Sequence, residues 1–149
     1  MLAKTHLAIG AAFMLFFLPH VTYKLVFVPV VLIAALLPDI DSMYSTFGHH
    51  WFFRPFQFFV KHRGFIHSLT VCFAFSLLFA FYIPAIALPF FLGYSSHLVG
   101  DSFTPEGVRL FWPFKGVSSG KLRTGGITEK GVFYVFLLVN AILFFMLFV

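Results

Sequence analysis

The chain has 149 residues, of which 60% are hydrophobic, 21% aromatic and only 10% charged, and its formal net charge is +5. A soluble domain carries about 25% charged residues, so this composition excludes an ordinary water-soluble fold and indicates a single domain, residues 1–149, embedded in a membrane. The positive charge is better explained by basic residues that flank membrane segments than by a nucleic-acid surface, so no nucleic-acid partner is expected.

Apolar runs in the sequence predict an all-α membrane bundle of about five short helices. In chain order they cover residues 5–18, residues 25–37, two helices within residues 65–99 that separate near Ile83-Pro84, and residues 132–149. Pro38 disfavours helix at Leu37, so the second helix is expected to end there. Several runs are shorter than the ~20 residues that a spanning helix needs, and four spans remain the alternative if the first two runs form a broken hairpin.

The first apolar run also has features of a signal peptide, because Lys4 precedes an apolar stretch. No cleavage site of small residues follows Leu18, so we expect the segment to be retained. The run therefore counts as the first membrane helix of the predicted bundle.

The distribution of basic residues predicts the orientation of the bundle. With five spans, nine of the ten basic residues lie on the side of the N-terminus and of the two long connections, residues 43–61 and 104–130, and Lys24 lies opposite. Positive charge marks the cytoplasmic side, so the N-terminus and both connections are expected in the cytoplasm. The first connection is rich in aromatic rings, which suits the headgroup layer, and the second is rich in glycine and proline, which predicts mostly loop.

His97 and Asp101 lie four residues apart at the end of a long apolar run. This spacing places both side chains on one helical face, where an imidazole and a carboxylate provide two ligands for a divalent metal. Alternating helices should deliver further polar residues to the same membrane face. These are His6 at the start of the first helix, Asp39 and Asp41 after the second, and His62, Arg63 and His67 before the third. Ionisable groups gathered near hydrocarbon indicate a functional site.

Each of these residues also has an ordinary structural explanation. His6 is equally explained as a structural residue at the level of the lipid headgroups near the start of a helix. Asp39 and Asp41 are equally explained as turn residues that oppose Arg63, and Arg63 as one more cytoplasmic positive charge. His62 and His67 are five residues apart and do not share a helical face, so His67 is the better inward ligand and His62 lies behind it.

Four motifs resemble those of the YdjM-like family, small inner-membrane proteins described as metal-dependent hydrolases. The motifs are Thr5-His6, Leu37-Pro38-Asp39-Ile40-Asp41, residues 62–68 (HRGFIHS) and residues 93–101 (GYSSHLVGD), and they keep the family's order over nearly the whole chain. The resemblance implies an inner-membrane location and a distant relation to the all-α zinc-dependent phospholipase C and P1-type nuclease fold. By similarity, one metal would take Asp39 or Asp41 together with His67, His97 and Asp101, and a second would take His6 with Asp101 bridging. The soluble enzymes have a further H-x-x-x-E pair that this chain lacks, which argues against a third metal.

The implied activity is hydrolysis of a phosphoester with one or two zinc ions, although His and Asp ligands without Cys also suit manganese or iron. Whichever of Asp39 and Asp41 is not a ligand would orient the attacking water or accept its proton. Arg63 would bind the phosphate through its guanidinium group, with His62 behind the ligands. Because the site is expected at headgroup level among phenylalanines, a lipid phosphoester is the expected substrate and membrane lipids the expected partners.

Two other classes of function remain open. The family label carries an association with the LexA repressor, which leaves a non-catalytic regulatory or interaction protein as an alternative. A metal transport or metal-handling protein would also place His and Asp in membrane helices. Transporter sites usually lie near the bilayer midplane between repeats, however, and this sequence shows no internal repeat.

Overall fold

The computed structural model describes residues 1–41, 51 and 64–149, and this part of the chain contains five α-helices. They are α1 (Ala3–Phe17), α2 (Lys24–Ala34), α3 (Leu69–Tyr82), α4 (Pro84–Ser102) and α5 (Ile127–Met146), with 3-10 turns at Leu18–His20 and Leu37–Asp41. Within the described ranges there is no β-strand, and one isolated antiparallel bridge joins Val108 to Ser118. The all-α fold class is therefore confirmed for these residues. The ring-rich connection predicted at residues 43–61 lies outside them, apart from Trp51.

The predicted helices are present in their predicted order. Their ends differ from the prediction by a few residues, and three of these differences have a clear physical cause. Helix α2 ends at Ala34 rather than at residue 37, because the ring of Pro38 would clash with the carbonyl of Ala34, four residues earlier. Helix α3 begins at Leu69 because the Ser68 side chain caps it by accepting a hydrogen bond from the backbone N–H of Val71.

Helix α5 begins at Ile127, five residues before the predicted run at residue 132. Glu129, in its first turn, accepts a hydrogen bond from the backbone N–H of Gly125. This contact resembles a capping box and stabilises a helical start that hydropathy alone does not indicate. The loop between α4 and α5 is correspondingly shorter than predicted.

Helix α4 is the centre of the bundle, since it packs against α1, α2 and α3, while α5 packs against α1. Close packing of α4 on α2 depends on Gly93, because a Cβ atom built there would lie 2.2 Å from the carbonyl oxygen of Val31. A glycine at a helix crossing lets two backbones approach each other. The buried apolar core around this crossing includes Ala34, Cys72 and Leu98.

One described helix, α5, is long and apolar enough to cross a membrane, and most of its surface is exposed. Helices α1, α2 and α3 have 15, 11 and 14 residues, fewer than the ~20 residues of a typical spanning helix. Five helices are thus observed, while the number of complete membrane spans stays a prediction.

Candidate metal centre

Six polar side chains from four segments of the chain meet at one end of the helical bundle. They are His6 of α1, Asp39 and Asp41 of the 3-10 turn after α2, His67 just before α3, and His97 and Asp101 of α4. His97 and Asp101 lie on the same face of their helix, as their spacing predicts. Every metal ligand proposed from the sequence therefore lies in this cluster.

Asp101 is the carboxylate that links the three imidazoles. Its Oδ1 atom is 3.3 Å from Nε2 of His6, and its Oδ2 atom is 3.6 Å from Nε2 of His97 and 3.8 Å from Nε2 of His67. Asp39 approaches the cluster from the side, with its Oδ1 atom 3.7 Å from Nε2 of His97. All three histidines thus turn the same ring nitrogen, Nε2, towards shared carboxylate oxygens.

The opposite ring nitrogens of two histidines are held by oxygen atoms behind the cluster. Nδ1 of His97 donates a hydrogen bond of 2.8 Å to the backbone carbonyl of Ala35. A carbonyl oxygen can only accept, so the neutral imidazole has its lone pair on Nε2. Nδ1 of His67 lies 3.0 Å from Oδ2 of Asp41. Oxygen partners of this kind orient metal-binding imidazoles and raise their basicity.

The cluster is almost completely shielded from solvent. His6, His67 and His97 are 0% exposed and Asp101 is 2% exposed, whereas the Asp39 side chain retains 13% exposure. The rings of His6 and His97 stack with their centroids 3.7 Å apart and their planes 12° from parallel. Within the described part of the chain, Nε2 of His6 and Nε2 of His97 make no hydrogen bond. A buried polar atom without a hydrogen bond costs about 1–3 kcal/mol.

The spacing of these atoms fits a bound metal better than it fits direct hydrogen bonds. Donor and acceptor are 3.3–3.8 Å apart, beyond the 2.7–3.2 Å of an ordinary N–H···O bond. Ligands about 2.0–2.1 Å from a tetrahedral metal are themselves separated by about 3.3 Å. Two groups of three have ligand atoms within 4.8 Å of one another: His6, Asp39 and His97, and His67, His97 and Asp101. The residues present therefore fit a metal ion bound by His97. Its neutral imidazole has a single free lone pair, on Nε2, so His97 can serve only one of the two groups at a time.

Backbone contacts hold His67 at the cluster. The hydroxyl of Tyr94 on α4 donates a 2.6 Å hydrogen bond to the carbonyl of Ile66, and the backbone N–H of Leu69 donates one of 2.8 Å to the carbonyl of Leu110. The segment before α3 is therefore attached on one side to α4 and on the other to the loop after it.

A missing side chain at Gly100 makes room for the ring of His6. A Cβ atom at this position would lie 3.3 Å from Cε1 and Nδ1 of His6. That separation is shorter than an ordinary van der Waals contact, so residue 100 can be little larger than glycine if α1 and α4 are to keep this distance.

Three structural features near the cluster were not predicted from the sequence. The N-terminal amino group of Met1 donates a hydrogen bond to Asp101. Glu129 is 1% exposed and accepts a 2.6 Å hydrogen bond from the backbone N–H of Leu2. The hydroxyl oxygen of Thr5 is buried and has no hydrogen-bond partner among the described residues. Of these features, the role of Glu129 could have been suspected from the sequence, since it is one of only five acidic residues in the chain.

Two residues assigned a catalytic role from the sequence, His62 and Arg63, lie outside the described residues, and their roles stay predictions. Arg109 and Arg123 lie on the loop between α4 and α5 and are exposed. A histidine outside the cluster, His20, is exposed in the 3-10 turn after α1.

The chain matches a known protein family over its full length and individual proteins over part of it. The model of the YdjM inner membrane protein family matches residues 1–149. Inner membrane protein YdjM of Escherichia coli (strain K12) is 44% identical over 97 residues, which cover 58% of this chain and 48% of that protein, and the protein of the same name from Shigella flexneri matches equally. The uncharacterized protein YvsG of Bacillus subtilis (strain 168) is 30% identical over 127 residues, covering 78% of this chain and 76% of that protein. The chain spans about half the length of the Escherichia and Shigella relatives, and no solved structure matches it.

Proposed function

The chain belongs to the YdjM inner membrane protein family, and from this membership and the buried histidine–aspartate cluster we propose that it is a metal-dependent hydrolase of the inner membrane. Its substrate is a lipid phosphoester at the cytoplasmic leaflet. The observation that supports the proposal most strongly is the set of three buried imidazoles that turn Nε2 towards shared carboxylate oxygens. A site built only for stability would bury the Nε2 atoms of His6 and His97 in direct hydrogen bonds, because unsatisfied polar atoms are costly.

The geometry assigns different roles to the two aspartates of the 3-10 turn. Asp39 lies near Nε2 of His97 and retains some exposure, so it is the ligand on the open side of the cluster. Asp41 contacts Nδ1 of His67 and is 3% exposed, so it orients that imidazole from behind. The metal ligands of this proposal are His6, Asp39, His67, His97 and Asp101.

The donor set of imidazoles and carboxylates suits zinc, with manganese and iron as the next candidates. When bound, zinc supplies a water whose pKa is about 7, so that hydroxide is available at neutral pH for attack on phosphorus. Asp39, at the exposed edge, accepts a hydrogen bond from the incoming water and orients it. Arg63, which precedes His67 by four residues in the sequence, binds the phosphate oxygens and stabilises their charge.

The test combines metal analysis with turnover. We expect detergent-purified protein to contain one or two equivalents of zinc and to release the phosphorylated headgroup or phosphate from phospholipids or lipid phosphates. His97→Ala should lose metal and activity together. The matched control is His20→Ala, because His20 is an exposed histidine outside the cluster, and it should leave both unchanged. No turnover above His97→Ala across the lipid panel would overturn the proposal.

The same measurements separate the alternative of a regulatory or interaction protein. That alternative expects a cluster that binds no metal after purification and full cellular function in Asp101→Ala. The hydrolase proposal expects Asp101→Ala to be inactive, because Asp101 contacts all three imidazoles.

A further inference from the structure

A cavity of about 400 Å³ adjoins the candidate metal centre. Its walls include Leu37, Ile40, Ile66, Val71, Phe79 and Phe90. Its volume falls within the range of about 300–1,000 Å³ that is typical of ligand sites. None of the described residues that line it carries a charge.

The cavity and the metal centre share the same backbone segments. Ile40 lies between Asp39 and Asp41, and Ile66 directly precedes His67. Tyr94, which also lines the cavity, is three residues before His97 on α4. Neighbouring residues are only about 3.8 Å apart along the backbone. On these three segments the cavity wall therefore lies within one to three residues of the metal centre, a separation that a single lipid molecule is long enough to bridge.

The lining excludes a polar occupant. Among the described lining residues Tyr94 carries the one hydroxyl group, and this group already donates a hydrogen bond to the carbonyl of Ile66. Phe79 and Phe90 form an edge-to-face pair with ring centroids 5.0 Å apart on another wall. Burial of a polar group among these side chains would leave it without a partner, whereas each buried methylene is favourable.

We propose that this cavity binds one acyl chain of a membrane phospholipid, so that the phosphoester of the same lipid lies at the histidine–aspartate cluster. The inference rests on the proposed hydrolase function for the reaction, but the occupant of the cavity is independent of turnover. Phospholipid is the occupant that the surroundings supply, since the family is one of inner-membrane proteins and large apolar side chains are exposed on α3 and α5. The cavity thereby makes the enzyme specific for chain-bearing phosphoesters over soluble ones.

The test measures binding in the absence of catalysis. Chelator-treated protein is reconstituted in vesicles of phosphatidylethanolamine and phosphatidylglycerol that contain a small fraction of phosphatidic acid with a photoreactive diazirine in one acyl chain. After illumination, mass spectrometry maps the crosslinked peptides. We expect crosslinks on the lining residues Phe75, Phe79 and Phe90 above those on the exposed surface of α5.

Two substitutions on α3 provide a matched pair. Val71 is 4% exposed and lines the cavity, so Val71→Phe fills it, whereas Ala74 is exposed on the same helix, so Ala74→Phe adds the same ring outside. Val71→Phe should lower crosslinking to the lining by about ten-fold, equivalent to about two methylene groups excluded from burial. Ala74→Phe should not change it.

Val71→Leu, which adds one methylene, is the second variant if Val71→Phe does not fold, and it should lower crosslinking in the same direction by less. Equal labelling of wild type and a folded Val71 variant, spread over exposed residues, overturns the inference. Lipid turnover without labelling of the cavity would support the proposed hydrolase function and overturn the acyl-chain site. Labelling of the cavity in a protein without turnover would support the acyl-chain site and overturn the hydrolase function.

Discussion

At the scale of single residues, Asp39 and Asp41 belong to the same turn but contact different atoms. We expect Asp41→Asn to weaken zinc binding by about 10–100-fold without loss of stoichiometry, because oxygens behind metal-bound imidazoles have effects of that size. Asp39→Asn removes a charged ligand and should lower the number of ions bound. Competition titration with a chromophoric zinc chelator measures both quantities. Glu106→Gln, at an exposed acidic residue, is the control. If Asp39→Asn binds zinc normally and Asp41→Asn loses an ion, then Asp41 is the ligand and Asp39 is not.

Glu129 is a second residue whose contacts predict a measurable effect. Its two carboxylate oxygens accept hydrogen bonds from the backbone N–H groups of Leu2 and Gly125. Glu129→Gln replaces one acceptor by an amide donor that would face a backbone donor. We expect a loss of stability of about 1–3 kcal/mol, the cost of a buried unsatisfied polar group. Thermal unfolding in detergent measures it against the wild-type protein, and an unchanged midpoint would show that the contacts are dispensable.

Sequence reasoning at the residue scale identified the side chains that meet in the cluster, but it did not predict which atoms contact one another. His6, His67, His97 and Asp101 were recognisable because ionisable side chains are rare and conspicuous in an apolar chain. The distinction between Asp39 and Asp41 depends on which imidazole nitrogen each oxygen faces. The backbone carbonyl of Ala35 carries no sequence signal, because every residue has such an oxygen.

At the scale of the helices, the approach of α4 to α2 sets the position of His97. Gly93→Ala would place a Cβ atom 2.2 Å from the Val31 carbonyl oxygen and 2.8 Å from the Ala34 side chain. The helices must then separate, which lengthens the hydrogen bond from His97 to Ala35. We expect a destabilisation of about 1–3 kcal/mol from overpacking, together with weaker zinc binding.

A second glycine provides the control for this helix crossing. Gly131 lies in α5, and a Cβ atom there meets nothing within 4 Å. Gly131→Ala should leave zinc binding unchanged and raise stability slightly, since alanine is favoured over glycine in helices by about 1 kcal/mol. If Gly93→Ala behaves like Gly131→Ala in unfolding and metal titration, the close crossing is not what positions the site.

The helices themselves were predictable because apolar runs and prolines are visible in the sequence. The break between α3 and α4 occurs at Ile83, where Pro84 opens the next helix, and this followed from proline chemistry alone. The early start of α5 was missed because it depends on contacts of Glu129 with Gly125 and with the distant Leu2. Tertiary contacts of this kind override hydropathy at helix ends.

At the scale of the whole molecule, the proposed metal binding should be coupled to folding, because the cluster side chains of α1, α4 and the segments before α3 and after α2 meet only in the folded state. Zinc at about 100 times its dissociation constant should stabilise the folded protein by about 2.7 kcal/mol. A chelator should lower the unfolding temperature, and added zinc should restore it. His97→Ala should show no response to either treatment. If neither the chelator nor added zinc changes the unfolding temperature of the wild-type protein, the cluster does not bind zinc.

The expected orientation of the molecule rests on α5, the described helix that meets the length of a membrane span. Its first turn lies at the metal-site end of the bundle, because Glu129 contacts Leu2 and Met1 contacts Asp101. Lys121, Arg123 and Lys130 lie before this helix or in its first turn. By the positive-inside rule we expect the start of α5 and the candidate metal centre in the cytoplasm and Val149 on the opposite side. Its 20 residues extend for about 30 Å, the thickness of the hydrocarbon core.

Reporter fusions after Val149 test this orientation directly. Alkaline phosphatase requires the periplasm for activity and should be active there, while a fluorescent protein that folds in the cytoplasm should remain dark. Fusions within the loop before α5, at the exposed Gly116, should give the opposite pair of results, because that loop lies on the side of the site. A bright fluorescent fusion at Val149 would mean that α5 does not cross the membrane or crosses in the other direction. The candidate metal centre would then not be placed at the cytoplasmic leaflet by this helix.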